Sequence, residues 1–143
     1  MNILRFMIPK SLSVHISSDS TVRQAVEKMR YHRYAALPVL DSEGRYVGTV
    51  RNDEILDLLF DGKLAKRGAE KISVLEALDE DSSRPLLHSA SFEELFERVR
   101  EHNFVPVVDD RGCFIGIILR REVMNFLWNK YKKSDKNTTT VGL

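Results

Sequence analysis

Val22, Ala25, Val26 and Met29 fall on one face of a helix, and Phe92, Leu95, Phe96 and Val99 reproduce that face 70 positions later. Each set leads into a matching strand–turn–strand. The first reads Pro38-Val39-Leu40-Asp41-Ser42-Glu43-Gly44-Arg45-Tyr46-Val47-Gly48, and the second Pro106-Val107-Val108-Asp109-Asp110-Arg111-Gly112-Cys113-Phe114-Ile115-Gly116. Here the offset is 68, so two residues are lost in the second copy between helix and strand. A repeat of this period is one supersecondary unit used twice, and it implies a pseudo-two-fold arrangement with a pair of equivalent clefts.

The chain has 143 residues, enough for one compact domain or two small halves. At 43% hydrophobic and 30% charged it has the make-up of a globular protein. A net charge of +1 provides no general field for nucleic acid or an acidic membrane surface, so any anion preference must be local. Cys113 is the single cysteine and excludes an intramolecular disulfide. No apolar run approaches the ~20 residues that span a bilayer. The opening Met1 to Pro9, interrupted by Arg5, is too short for a secretory signal, so a cytoplasmic location is the expectation.

Leu12, Val14 and Ile16 alternate with Ser13 and His15 and predict a short strand. A helix follows from Thr21 to about His32, with Gln24 as capping-box partner. Ala36 to Leu40 and Tyr46 to Val50 form a hairpin, and a short helix carries Ile55, Leu58 and Leu59. Asp61 to Lys71 reads as a charged connector, and Ser73 with Glu76 as a capping box opening a short helix through Leu78. The second copy repeats the plan. Pro85 to His88 is its strand, Ser91 and Glu94 open its helix, and Phe104 to Val108 pairs with Phe114 to Leu119. A last helix spans about Arg121 to Tyr131. The expected divisions are residues 1–62, a connector 63–71, residues 72–131, and a disordered tail 132–143. The fold class is α/β of the α+β type, with two β-α-β-β-α units packed sheet against sheet.

The doubled pattern of an apolar helix leading into Leu-Pro-Val-x-Asp-x-x-Gly-x-x-x-Gly resembles a tandem pair of cystathionine-β-synthase (CBS) domains, also called a Bateman module. The resemblance covers roughly Phe6 to Leu127 and implies a stand-alone pair of the kind common in bacteria. It implies a sensor that binds an adenosine-containing ligand (AMP, ADP, ATP, S-adenosylmethionine, NAD or cyclic di-AMP) in clefts between the repeats, often as a disc-like homodimer. In the family a Gly, two apolar residues, a Thr or Ser, two variable residues and an Asp follow the hairpin. The hydroxyl meets phosphate and the Asp holds the ribose. Here the copies read Gly48-Thr49-Val50-Arg51-Asn52-Asp53-Glu54 and Gly116-Ile117-Ile118-Leu119-Arg120-Arg121-Glu122. Arg51 and Leu119 replace the hydroxyl, and Glu54 and Glu122 replace the Asp.

Arg120-Arg121 opposes the dipole of the helix it opens, and a bound phosphate would offset that cost. The alternative is a solvated pair bridged to Asp109, Asp110 or Glu122. Arg51 occupies the equivalent helix start, beside capping residues Asn52 and Asp53. Glu54 and Glu122 are candidate ribose contacts, although a first helical turn favours carboxylates in any case. His32 and His102 suit helix C-termini, while His15 and His88 are candidates to line a cleft. By resemblance, the adenine would lie between Ser11–His15 and Tyr34–Leu37 in one copy, and between Ser83–His88 and Asn103–Val105 in the other. Candidate contacts there are Ser13, His15, Ala35, Ala36, Arg84, Asn103, Phe104 and Val105.

There is no Gly-x-Ser-x-Gly elbow, phosphate loop or His-Glu-x-x-His, and the histidines have no metal-ligand spacing, so neither an enzyme nor a metal site is expected. Phe126, Leu127, Trp128 and Tyr131 give the last helix more apolar surface than one buried stripe needs, which suggests a dimer contact. The leading expectation is a regulatory sensor that passes its ligand state to a target protein. The alternative is a ligand-free dimerisation or docking scaffold.

Overall fold

The computed structural model describes residues 1–79 and 84–141. Its elements are β1 (Met7–Pro9), β2 (Ile16–Ser17), α1 (Val22–His32), β3 (Ala36–Leu40), β4 (Tyr46–Arg51), α2 (Asn52–Phe60), α3 (Lys63–Arg67), β5 (Leu86–Leu87), α4 (Phe92–Glu101), β6 (Phe104–Val108), β7 (Phe114–Leu119) and α5 (Arg120–Val141). The fold is a mixed α/β arrangement of two sheets and their helices, with strand orders β2-β3-β4 and β1-β7-β6-β5.

Local chemistry sets most of these elements. Thr21 accepts from the Gln24 amide at 3.2 Å while the Gln24 side chain accepts from the Thr21 amide at 2.9 Å, a complete capping box for α1. Ser91 accepts from the Glu94 amide in α4. Both hairpins turn through an aspartate whose Oδ1 accepts two backbone amides. Asp41 takes Glu43 and Arg45, and Asp109 takes Arg111 and Cys113, all at 2.9 Å. Gly44 and Gly112 close these turns at φ 82° and 80°, a left-handed conformation that glycine adopts without steric cost.

Four expectations are corrected locally. The first strand shrinks to Ile16–Ser17, because Ser13 Oγ donates to the Lys10 carbonyl and closes a 3₁₀ turn over Lys10–Leu12. The connector holds helix α3, whose Leu64 packs with Ala69 against the first core. Ser73 caps only one 3₁₀ turn, Val74–Ala77, by accepting from Leu75, while the Glu76 carboxylate meets Arg67 at 3.0 Å. Finally, α5 continues to Val141, where a disordered tail was expected from residue 132. An anchored helix propagates at little cost per added residue, without needing an apolar stripe of its own.

The larger correction concerns how the halves are divided. Ile3 and Phe6 lie in the core of the second copy, with Leu86, Leu95, Val99, Val105, Val107, Ile118 and Val123. Strand β1 pairs antiparallel with β7, Met7 opposite Ile118. Conversely, Ile72, Val74 and Ala77 complete the first core, with Ile16, Val22, Ala25, Met29, Leu37, Val39, Val50 and Leu58. Leu78 bridges Val50, the counterpart of Ile118. Each segment that precedes a copy therefore finishes the other copy's core, so the divisions 1–62 and 72–131 follow chain order only. The hairpin tips also pair with each other. The Tyr46 amide donates to Gly112 at 3.1 Å, and the Phe114 amide donates to Gly44 at 2.9 Å. Arg45 and Cys113 form a bridge between these two bonds.

Candidate functional site

A cavity of about 320 Å³ lies between the halves. The first copy contributes Leu12, Ser13 and Val14 after the 3₁₀ turn, Arg33 to Ala36 between α1 and β3, Pro38, and Arg51 at the end of β4. The second contributes Asn103 and Phe104 ahead of and within β6, Ile117 and Leu119 on β7, and Arg121 in the first turn of α5, with Ile8 of the exchanged strand β1. Its surface is mainly apolar, with three arginines, Arg33, Arg51 and Arg121, on its walls.

Of the residues proposed from sequence, Ser13, Ala35, Ala36, Arg51, Asn103, Phe104 and Arg121 are brought to this one cavity. Asn103 and Phe104, from the segment assigned to the second copy's adenine, line the same cavity as Ser13 and Ala35 from the first. Ser83 itself lies outside the described residues. Val105 is buried in the second core. Arg84 is exposed, and its carbonyl accepts from Arg98. Glu54 on α2 and Glu122 on α5 are not among the cavity-lining residues. His15 is not among the cavity-lining residues, and its ring lies edge-on to Phe114 at 5.9 Å. Burial, then the nearby Lys28 and Lys10 ammonium groups, hold its pKa below the ordinary imidazole value.

Arg120 and Arg121 separate because neighbouring residues on a helix project about 100° apart. Arg120 Nε donates to the Val99 carbonyl at 2.6 Å and its Nη2 to the Arg100 carbonyl at 3.4 Å. It thereby caps the free carbonyls at the end of α4. That contact, rather than a phosphate or a surface carboxylate, answers its place at a helix start. Arg121 alone of the pair reaches the cavity.

The electrostatics of the three cavity arginines differ. Arg51 Nε lies 2.9 Å from Asp79 Oδ2, and both side chains are largely covered. Among the described residues, neither Arg33 nor Arg121 has an acidic partner. Among the described residues, the site therefore presents Arg33 and Arg121 without an acidic partner beside a mainly apolar lining, and both α2 and α5 begin at its edge, where helix dipoles favour an anion. Among the described residues no group of three His, Cys, Asp or Glu side chains could hold a metal, and no helix is long and apolar enough to cross a membrane.

Sequence reasoning missed Arg33 as a cavity residue. Its signal was present in the two extra residues that the first copy carries between helix and strand.

The CBS-domain family profile matches residues 6–61 and 85–129. Inosine-5'-monophosphate dehydrogenase of Methanocaldococcus jannaschii is 26% identical over 113 residues, 78% of this chain and 21% of the relative, so the chain spans about a fifth of that protein's length. The structure of CbpB in complex with c-di-AMP superposes with a TM-score of 0.83 over 95% of this chain and 91% of that one; at 18% identity the likeness is one of fold. The structure of CBSX2 in complex with AMP superposes with a TM-score of 0.73 at 26% identity, over 91% of this chain and 98% of that one. With two matched segments, a duplicated fold and neighbours of the same architecture, the chain belongs to the CBS-domain family and carries two CBS domains in tandem.

Proposed function

We propose that this CBS pair is a regulatory, non-catalytic sensor that binds an adenosine-containing ligand in the cavity between its repeats. AMP, ADP, ATP and cyclic di-AMP are the candidates. The observation that carries this reading is the cavity itself. It is an apolar recess built from both copies, with the acid-free Arg33 and Arg121 on its walls. Its volume is at the lower end of the ~300–1,000 Å³ usual for small-molecule sites. A flat base suits the apolar floor, and a phosphate suits the arginines and helix N-termini. The neighbours solved with c-di-AMP and with AMP support the same ligand class. Because the walls come from both repeats, a ligand bridging them would favour one relative orientation and signal by population shift to a target protein.

The experiment is a thermal-shift panel of AMP, ADP, ATP and cyclic di-AMP. A ligand at 100 times its Kd should raise Tm by roughly 5–10 °C for a chain of this size. No shift at millimolar concentration would sink the sensor reading.

A ligand-free scaffold is the second reading, favoured by the pairing of Arg51 with Asp79 at the position where the family carries a phosphate-binding hydroxyl. In either case we read α2 and α5 as the surface of a homodimer in the cytoplasm. Leu56, Leu59 and Phe60 are exposed on α2, and Met124, Trp128 and Tyr131 on α5. Leu56 and Phe60 are the repeat counterparts of Met124 and Trp128. Light scattering should give a dimer for the native chain and a monomer for Phe60→Glu with Trp128→Glu.

A further inference from the structure

The two copies differ in length at one point of the helix–hairpin unit. Three residues, Arg33 to Ala35, follow His32 before β3, whereas only Asn103 follows His102 before β6. The surplus is therefore confined to the joint that Arg33 opens. Arg33 ends α1 in the left-handed conformation, φ 59° and ψ 42°, with its amide donating to the Met29 carbonyl. It is the single non-glycine residue with positive φ among the described residues. Glycine would perform this capping with less strain, so capping alone does not account for an arginine here. Strain of this kind points to a local role for the side chain.

The joint is also a wall between two recesses. On one side is the cavity shared by the repeats. On the other is an open groove of about 420 Å³, lined by Val26, Met29, Arg30 and Asn52. Arg33, Tyr34 and Ala35 border both. The Tyr34 ring is half exposed and stacks on His32, centroids 5.7 Å apart and planes within 16°.

We propose that Arg33 and Tyr34 form a specificity element peculiar to the first repeat. The Arg33 guanidinium takes a phosphate of the bound nucleotide opposite Arg121, and the Tyr34 ring shapes the rim. This rests on the nucleotide-sensor reading and assigns the anionic end of that ligand. The second repeat, with one residue in place of three, has no counterpart, so the duplicated fold provides one site of this chemistry rather than two.

The test is calorimetric titration of the full chain with AMP, cyclic di-AMP and adenosine, on the native protein and on Arg33→Gly and Tyr34→Ala. Glycine accepts the left-handed conformation, so Arg33→Gly should keep or raise Tm. It should bind both phosphate ligands at least tenfold more weakly and leave adenosine unchanged. Tyr34→Ala should weaken all three. If the native chain binds and Arg33→Gly binds the phosphate ligands equally well, this proposal falls and the sensor reading stands. If the native chain binds none of the three, both fall.

Discussion

The Asp79 carboxylate lies 2.9 Å from the Arg51 guanidinium, so the segment leading into the second repeat neutralises an arginine on the wall of the shared cavity. Asp79 is held there by its own backbone, whose amide donates to the Thr49 carbonyl at 2.8 Å. Asp79→Asn should remove one carboxylate charge from beside the Arg51 guanidinium. We expect a loss of about 1–2 kcal/mol in the ligand-free chain, the scale of a partly covered ion pair. Affinity for AMP or cyclic di-AMP should rise about threefold to tenfold. Urea denaturation and calorimetry read the two effects separately; an unchanged affinity would show that Arg51 does not face the ligand.

Arg120 and Arg121 should divide stability from binding. Arg120→Ala removes a charged donor from the α4 carbonyls and should cost about 1.5 kcal/mol with affinity kept. Arg121→Ala should move stability by less than about 0.5 kcal/mol, as at other exposed positions. It should weaken a phosphate-bearing ligand about tenfold, or about 1.4 kcal/mol. The reverse pattern in denaturation and titration would place the phosphate at Arg120.

The exchanged N-terminal segment should behave as part of the second core. Phe6 is 8% exposed and touches Phe92 and Phe126, the latter edge-on at 5.2 Å. Phe6→Ala should cost about 3–5 kcal/mol by urea denaturation. Gly116→Ala should displace β1, because a Cβ there would overlap the Ile8 carbonyl oxygen and sit 2.7 Å from Met7 Cγ. A penalty of about 3 kcal/mol is expected from such overpacking. A mild effect at both sites would mean that β1 is not held by β7 in solution.

His15 should make the chain acid-sensitive. Its folded pKa is lowered, so the native state prefers the neutral ring and the unfolded state binds the proton first. The stability from the neutral ring is therefore full above pH 6.5 and is lost as pH falls from there through the folded pKa. His15→Gln should flatten that part of the stability–pH curve measured between pH 7 and 5. A curve that keeps its slope would assign the dependence to other groups.

Legibility in the sequence followed the range of the interactions. The capping box of Thr21 and Gln24, the Asp41 and Asp109 turns and the hairpins lie within a few residues of their partners, and all are readable from type and spacing. The site was partly readable. Arg51 and Arg121 follow from the family pattern at the helix starts; for Arg33 the two extra residues of the first copy mark the joint, and its backbone conformation and the two recesses beside it single out the residue. Glu54 and Glu122, although they sit at the family's carboxylate position, are carried on α2 and α5 without joining the cavity lining.

The sequence by itself determined that there are two copies of one unit, which of its residues face a core, and where each hairpin turns. Those properties depend on periodicity and on turn chemistry, both local. Tertiary structure decided that Ile3–Pro9 completes the second core and Ile72–Leu78 the first, because two similar sheet edges compete for each extended segment and only their positions in space choose between them. It also decided that Arg120 ties down α4 while Arg121 turns to the cavity, since one helical step of about 100° sends adjacent side chains to different neighbours.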